Sequence, residues 1–416
     1  MSLWSHEVRL LTRSRLSVIA LALLAALTLA AVVSGMVEIS RQKAAIAAIP
    51  AAQAQDIGAI ADWVSESEDA GSAAYYSFFP TWDAPSSLAF AAIGMRDVSP
   101  YILRVRALGL EAQLYDGDVY NPELALPGRF DFAFVLVFLA PLFVIALFHD
   151  LTSSEREAGR LRTLDALPLG GRRLWLRRVA LRLSLLWLAL AAPFVLGAML
   201  SGATVLGGLA VLGLIAAYLL FWTAVTLVVG RLRWSSVANA ATLAAVWLVH
   251  VLVLPTLANV AINRAVPVNQ GAEITLAQRE TVNRAWDIPR EETMRRFYAD
   301  HPEWSDSAPV THVFHYKWYL AFHQNGDASV ADQVAAYRSG LERRDAAARS
   351  LGWVLPSVGV QAVLTRLADT DLQAQLTYQD RIRAFHARLR TFFYGYLFRD
   401  RPFTKADFDQ VPAFGG

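Results

Sequence analysis

The sequence predicts an all-α integral membrane protein, and three observations carry that prediction. Of its 416 residues, 55% are hydrophobic and only 18% are charged, whereas about a quarter of a soluble domain is charged. The apolar residues gather into five blocks, each long enough to cross a hydrocarbon core of about 30 Å, which takes roughly 20 helical residues. The stretches between the first two blocks and after the last have soluble composition, so mean hydropathy is only +0.35. The expected architecture is about five transmembrane helices with two mostly helical extracytoplasmic insertions.

Residues 1–15 read as an amphipathic helix at the membrane surface, with Trp4, Val8 and Leu11 on one side and Arg9 and Arg13 more polar. Residues 16–36 form the first span. Its small-residue end also suits a cleaved signal peptide, but the apolar run is longer than a signal core and a long amphipathic segment precedes it. The first insertion, 37–129, opens with an Ala-rich helix that Pro50 should break. An acidic cluster follows (Asp62, Glu66, Glu68, Asp69), read as a solvated face, then an aromatic, Pro-rich run from Tyr75 to Pro85. Span two is 130–148, span three 179–200, span four 203–230 and span five 237–260. A Ser-Gly turn joins three to four as a hairpin. His250 lies inside span five, where an ionisable group is costly and faces a bundle interior or a neighbouring helix.

The second insertion, 263–416, carries helix-start signals at Asp287–Pro289 with Glu291 and Glu292 behind them, and again at Asp327. A last long helix is expected from Asp369 to Phe393, burying Leu372, Leu376, Tyr378, Ile382 and Phe385. His312 and His315 at i,i+3 spacing, with His323 nearby, leave two readings open: a metal site, or histidines half-buried beside aromatics. The chain has no cysteine, so thiolate chemistry is excluded.

Orientation follows from arginines in the short loops: Arg9, Arg13 and Arg15; seven between Arg156 and Arg178; Arg231 and Arg233. All lie on one side, which the positive-inside rule makes cytoplasmic. The net charge of +2 gives no nucleic-acid footprint. No phosphate loop or nucleophile elbow occurs.

The connection 149–178 is the most informative segment. Ser153 or Ser154 can cap a short helix with Glu155 and Glu157 in its first turn and an apolar stripe of Leu161, Leu164 and Leu167. Pro168 and Gly170-Gly171 stop it. Such a helix suits docking into a partner's groove and equally suits lying on anionic lipid.

The run Glu155-Arg156-Glu157-Ala158-Gly159-Arg160-Leu161-Arg162, followed by Leu167-Pro168, resembles the signature of ABC-2-type transporter permeases, with Arg160 where a Thr is usual. Trp4–Arg15 resembles that family's amphipathic N-terminal helix. Pro85–Pro100, Asn121–Asp150 and Leu355–Asp371 resemble a bacterial subgroup with large extracytoplasmic insertions, known only as a domain of unknown function. The resemblance implies a permease of the cytoplasmic (inner) membrane, most simply an exporter. It implies a coupling helix that contacts a separate cytoplasmic ATPase through Glu155, Arg156, Glu157, Gly159, Arg160, Leu161, Leu164 and Leu167. ATP and Mg belong on that ATPase, and this chain needs no cofactor of its own. A second permease copy or paralogue and membrane lipid are the other expected partners. The size of the insertions motivates an alternative, an ABC-type complex that transmits force to a periplasmic partner without moving substrate. Subgroup members normally have a sixth span after the second insertion; this chain ends about where it would begin, through truncation or loss.

Overall fold

The computed structural model describes residues 3–64, 69–115, 128–166, 170–268 and 271–415. Among the described residues five helices are long and apolar enough to span: Arg15–Val64, Phe132–Glu157, Gly171–Ser201, Val205–Gly230 and Ser236–Ala265. They form one bundle. The arginine-rich loops gather at its basic end, and both insertions stand at the other, the insertion end.

The helix of span one does not stop near residue 36. It continues as one 50-residue helix through Pro50, about 75 Å at 1.5 Å per residue. Proline removes one helical hydrogen bond and crowds the preceding turn. Here it is flanked by AAIAAI and AAQA, among the strongest helix formers, so the helix resumes at once instead of breaking.

Spans two and five each contain a π-helical turn, Val135–Leu139 and Leu248–Val253, and each turn is followed, one residue on, by a proline, Pro141 or Pro255. A proline ring disturbs the carbonyl four residues back, and a wider turn accommodates it. The freed groups find partners: the Tyr218 hydroxyl donates to Val137 O at 2.9 Å, and Trp247 Nε1 to Phe138 O at 3.0 Å.

Two segments of the insertions reach into the bundle. Irregular backbone at Leu88–Ile93 is buried against spans one, three and four. A Cβ on Gly35 would lie 2.0 Å from Phe90 O, so only glycine permits this approach. Non-helical backbone at such depth persists only when its polar groups are satisfied. Ile93 N donates to Asp131 Oδ2 at 2.9 Å, Thr370 Oγ1 to Ala92 O at 2.8 Å, and Ala133 N to Ala91 O at 2.8 Å. The helix Pro356–Leu367 packs on span four and on both π-helical turns, and Ser357 Oγ donates to His250 O at 3.4 Å. The His250 ring lies beside Phe221 and Trp222.

The rest of both insertions forms a single unit. Strand β1 (Phe79–Trp82) pairs antiparallel with β2 (Ile102–Val105), with Phe79 opposite Val105. Val64, Phe79, Val105 and Leu108 share one core with Phe297, Phe322, Phe385 and Phe393. The Thr81 and Tyr378 hydroxyls meet at 2.9 Å. Arg390 donates to Leu108 O (2.7 Å), Ala107 O (3.3 Å) and Asp327 Oδ2 (2.8 Å). Asp327 also accepts from Leu110 N and Glu111 N, His386 Nε2 meets Arg106 O at 2.8 Å, and Gly109 N donates to His323 Nδ1 at 3.2 Å.

Several expectations change at this hub. Asp327 starts no helix: it lies near the end of Tyr316–Ser329, and the Ala-rich helix begins at Ala331, because its carboxylate serves the loop Leu108–Glu111. His312 and His315 share no helical face, since His312 precedes the helix and His315 caps it, accepting from Lys317 N at 3.0 Å. Asp69 is a helix cap rather than a solvated group, Asp62 pairs with Lys405, and Glu66 and Glu68 lie outside the described residues. The helix Arg290–Asp300 stands where Asp287–Pro289 predicts it. The last helix runs Leu372–Leu397, capped by Asp371, and buries Leu376, Tyr378, Ile382 and Phe385, with Leu372 half-buried.

Candidate coupling site at the basic end

At the basic end, Ser153–Glu157 and Leu161–Asp165 are two short helical pieces separated at Gly159, so the single capped helix expected there is interrupted. Gly159 adopts φ +72°, which costs a residue with a Cβ but not glycine. Ser153 and Ser154 cap nothing: their hydroxyls bond back to His149 O (3.4 Å) and Asp150 O (2.6 Å) of span two's last turn. Span two therefore runs directly into the first piece.

The two acids of the motif are tied to neighbouring spans, Glu155 half-buried and Glu157 at the surface. Glu155 accepts from Arg160 Nε at 2.7 Å and from Arg178 Nη1 at 2.9 Å, and Arg178 Nε also meets Glu7 of the helix Leu3–Arg13 at 3.4 Å. One carboxylate thus ties span two, the base of span three and the N-terminal helix together. Glu157 Oε1 accepts from Ser236 N at 2.7 Å and Oε2 from Ser236 Oγ at 3.1 Å. That places a negative charge on the first free N–H groups of span five, where the helix dipole favours it. Ser153 Oγ meets Ser236 Oγ at 2.8 Å, Arg156 donates to Trp234 O, and Asn239 Nδ2 donates to His149 O at 3.2 Å.

Beyond Glu157 the surface continues. Ala158, Gly159, Arg160, Arg162 and Thr163 are exposed, and Leu161 and Leu164 are half-buried. Leu167 and Pro168 lie outside the described residues. In the N-terminal helix Glu7 and Leu11 face the bundle, while Trp4 and Val8 remain exposed.

Two family profiles match this chain. That of an ABC-2 family transporter protein covers residues 1–298, and that of a domain of unknown function, DUF3526, covers residues 272–415. The chain belongs to the ABC-2 transporter family. It is a multi-pass membrane permease of an ABC transporter; such permeases do not themselves hydrolyse ATP, and the family implies an ABC ATPase partner. No curated protein and no solved structure matches it. In this ABC-2 permease the profile boundary is not a physical one, because the core of the DUF3526 segment is completed by residues 61–115. Among the described residues no group of three or more metal-ligating side chains is gathered.

The loop of the permease was legible from its motif, but three partners of that loop were not. Ser236, Trp234 and Arg178 meet the motif only through the packing of spans three and five against span two, which no local pattern fixes. The Ser235-Ser236 pair at the start of span five was the available clue, as a helix-start signal.

Proposed function

We propose that this permease is driven by a separate cytoplasmic ATPase that docks on the exposed strip 158–163, the basic end being cytoplasmic. ATP and Mg are held by that ATPase. The observation supporting this reading is the division of labour within one motif: Glu155 and Glu157 bind spans three and five, while Gly159, Arg160, Arg162 and Thr163 are exposed, Arg160 bracing Glu155 from the solvent side. A push on the strip reaches spans two, three and five and the N-terminal helix together. Two permease chains with two ATPases form the working unit, and the direction is export, toward the insertion end.

A second reading is favoured by the 50-residue helix Arg15–Val64, which runs from the basic end to the core of the insertion unit. In that reading the complex transmits force to a periplasmic partner without moving substrate through the bilayer.

The docking test is co-purification with the neighbouring ATPase. Arg162→Glu with Thr163→Glu changes only exposed positions outside the Glu155 ion pairs, so folding is kept and the ATPase should be lost. Leu164→Asp should also lose it. Equal recovery with all variants would remove the coupling assignment and leave a membrane-surface loop. Transport and force transmission separate on reconstituted vesicles, where only the first reading moves a compound across the bilayer.

A further inference from the structure

At the insertion end a half-open cavity of about 360 Å³ lies beside the long helix. Close-packed interiors leave few voids larger than a water molecule, and this volume is already within the range of small-ligand pockets. One wall is the helix face from Ile49 to Ile57; the others are Phe79 and Trp82 of β1, Phe385, and the tail Val411–Phe414. Phe414 holds the tail in place, edge-on to Trp82 at 5.2 Å and to Phe385 at 5.5 Å. Apart from the Trp82 indole, Gln53 is the one polar side chain in the lining, and three lining residues are prolines, Pro50, Pro80 and Pro412, which offer no N–H.

That lining selects against a peptide. An extended chain entering it would leave its N–H and C=O groups without partners, at a cost of several hydrogen bonds. A saturated hydrocarbon loses nothing there. The setting supplies one: the cavity wall is the same unbroken helix as span one, whose Val33 and Val37 are exposed at the insertion end of the span. Between span and cavity stands the exposed Lys43. Lys43, Pro50 and Ala54 fall on one helix face, at seven- and eleven-residue spacing. Lys43 is about 10 Å below Pro50 by helical rise, at the height where a phospholipid phosphate can pair with it.

We infer that this cavity receives one acyl chain of a membrane phospholipid whose phosphate pairs with Lys43. The inference goes beyond the coupling assignment and does not rest on it, since the permease binds the lipid without the ATPase.

The test uses the full chain in nanodiscs containing phosphatidylglycerol with a diazirine at the end of one acyl chain. Irradiation followed by peptide mapping should label 49–57 and 408–415 in addition to the spans. Because the chain has no cysteine, Ala54→Cys can be folded first and then blocked with a benzyl maleimide. Blocking should abolish cavity labelling and leave span labelling unchanged. Lys43→Glu, at an exposed site, should reduce cavity labelling about fivefold, the worth of one basic residue at an anionic surface. Labelling confined to the spans, or cavity labelling indifferent to the maleimide, would overturn the assignment. So would cavity labelling by free diazirine palmitate but not by the phospholipid.

Discussion

Acid should loosen the insertion unit well before it titrates most carboxylates. His323 and His386 lie in the hub joining the two insertions. Burial pushes His323 down to about 3, with Arg390 and Arg106 adding to it. His386 is also held well below its ordinary value by burial and by Arg390. In the unfolded chain both titrate near 6.5. A basic group with a depressed folded pKa contributes its stability above the unfolded value and loses it as pH falls through about 6.5. For His323 the loss continues toward its folded pKa near 3. Going from pH 7.5 to 5.5 therefore costs about 1.4 kcal/mol per histidine, at 1.36 kcal/mol per pH unit. For a unit of this size that is roughly 3–6 °C of melting temperature each. The assay is tryptophan-fluorescence melting of the detergent-purified permease at both pH values. His323→Asn keeps an oxygen to accept from Gly109 N and removes one titration, so the pH-induced drop should fall by about half. An undiminished drop in that variant, or no drop in the native chain, would refute the reasoning.

Other expectations concern packing and topology. Gly35→Ala would place a methyl 2.0 Å from Phe90 O, a backbone atom that cannot swing away, and should cost at least ~3 kcal/mol. Gly58→Ala on the same helix meets nothing within 4 Å and should be neutral or slightly stabilising, as read by thermal melting. Glu157→Gln keeps an acceptor for Ser236 but removes the charge; it should cost no more than about 1 kcal/mol and preserve ATPase binding. Glu157→Ala should preserve binding too, while weakening the response of ATP hydrolysis to conditions that act on the spans. Trp353 is 92% exposed at the turn leading into the helix packed on His250. Trp353→Cys should therefore be shielded by lipid from a membrane-impermeant maleimide in sealed membranes, whereas Gln333→Cys, higher on the preceding helix, should react.

What was legible in the sequence depended on how much of the answer is local. Twenty apolar residues in a row suffice to mark a span, so a long apolar helix stands at each of the five expected blocks. At Pro50 a helix breaker stands against alanine-rich neighbours on both sides, and the neighbours prevail. The intrusions were hidden by length: Leu88–Ile93 and Pro356–Leu367 are too short to count as spans, and only the depth of their partners reveals them. The four-residue strands β1 and β2 are too brief to show a period of two. In the coupling loop the motif marked the place. The contacts of Glu155 and Glu157 depend on Arg178 and Ser236, 23 and 79 residues further on.

The pairing of Thr81 with Tyr378 joins residues 297 positions apart. A ribosome adding about 5–20 residues per second needs roughly 15–60 s to travel that far. In the orientation proposed above, the first insertion is by then across the membrane while its aromatic residues Phe79 and Trp82 have none of their eventual neighbours from the C-terminal half. The first insertion thus waits incomplete on the far side of the membrane, and a holding chaperone there, or slow passage of the later spans, would set the yield of this protein more than its final stability does.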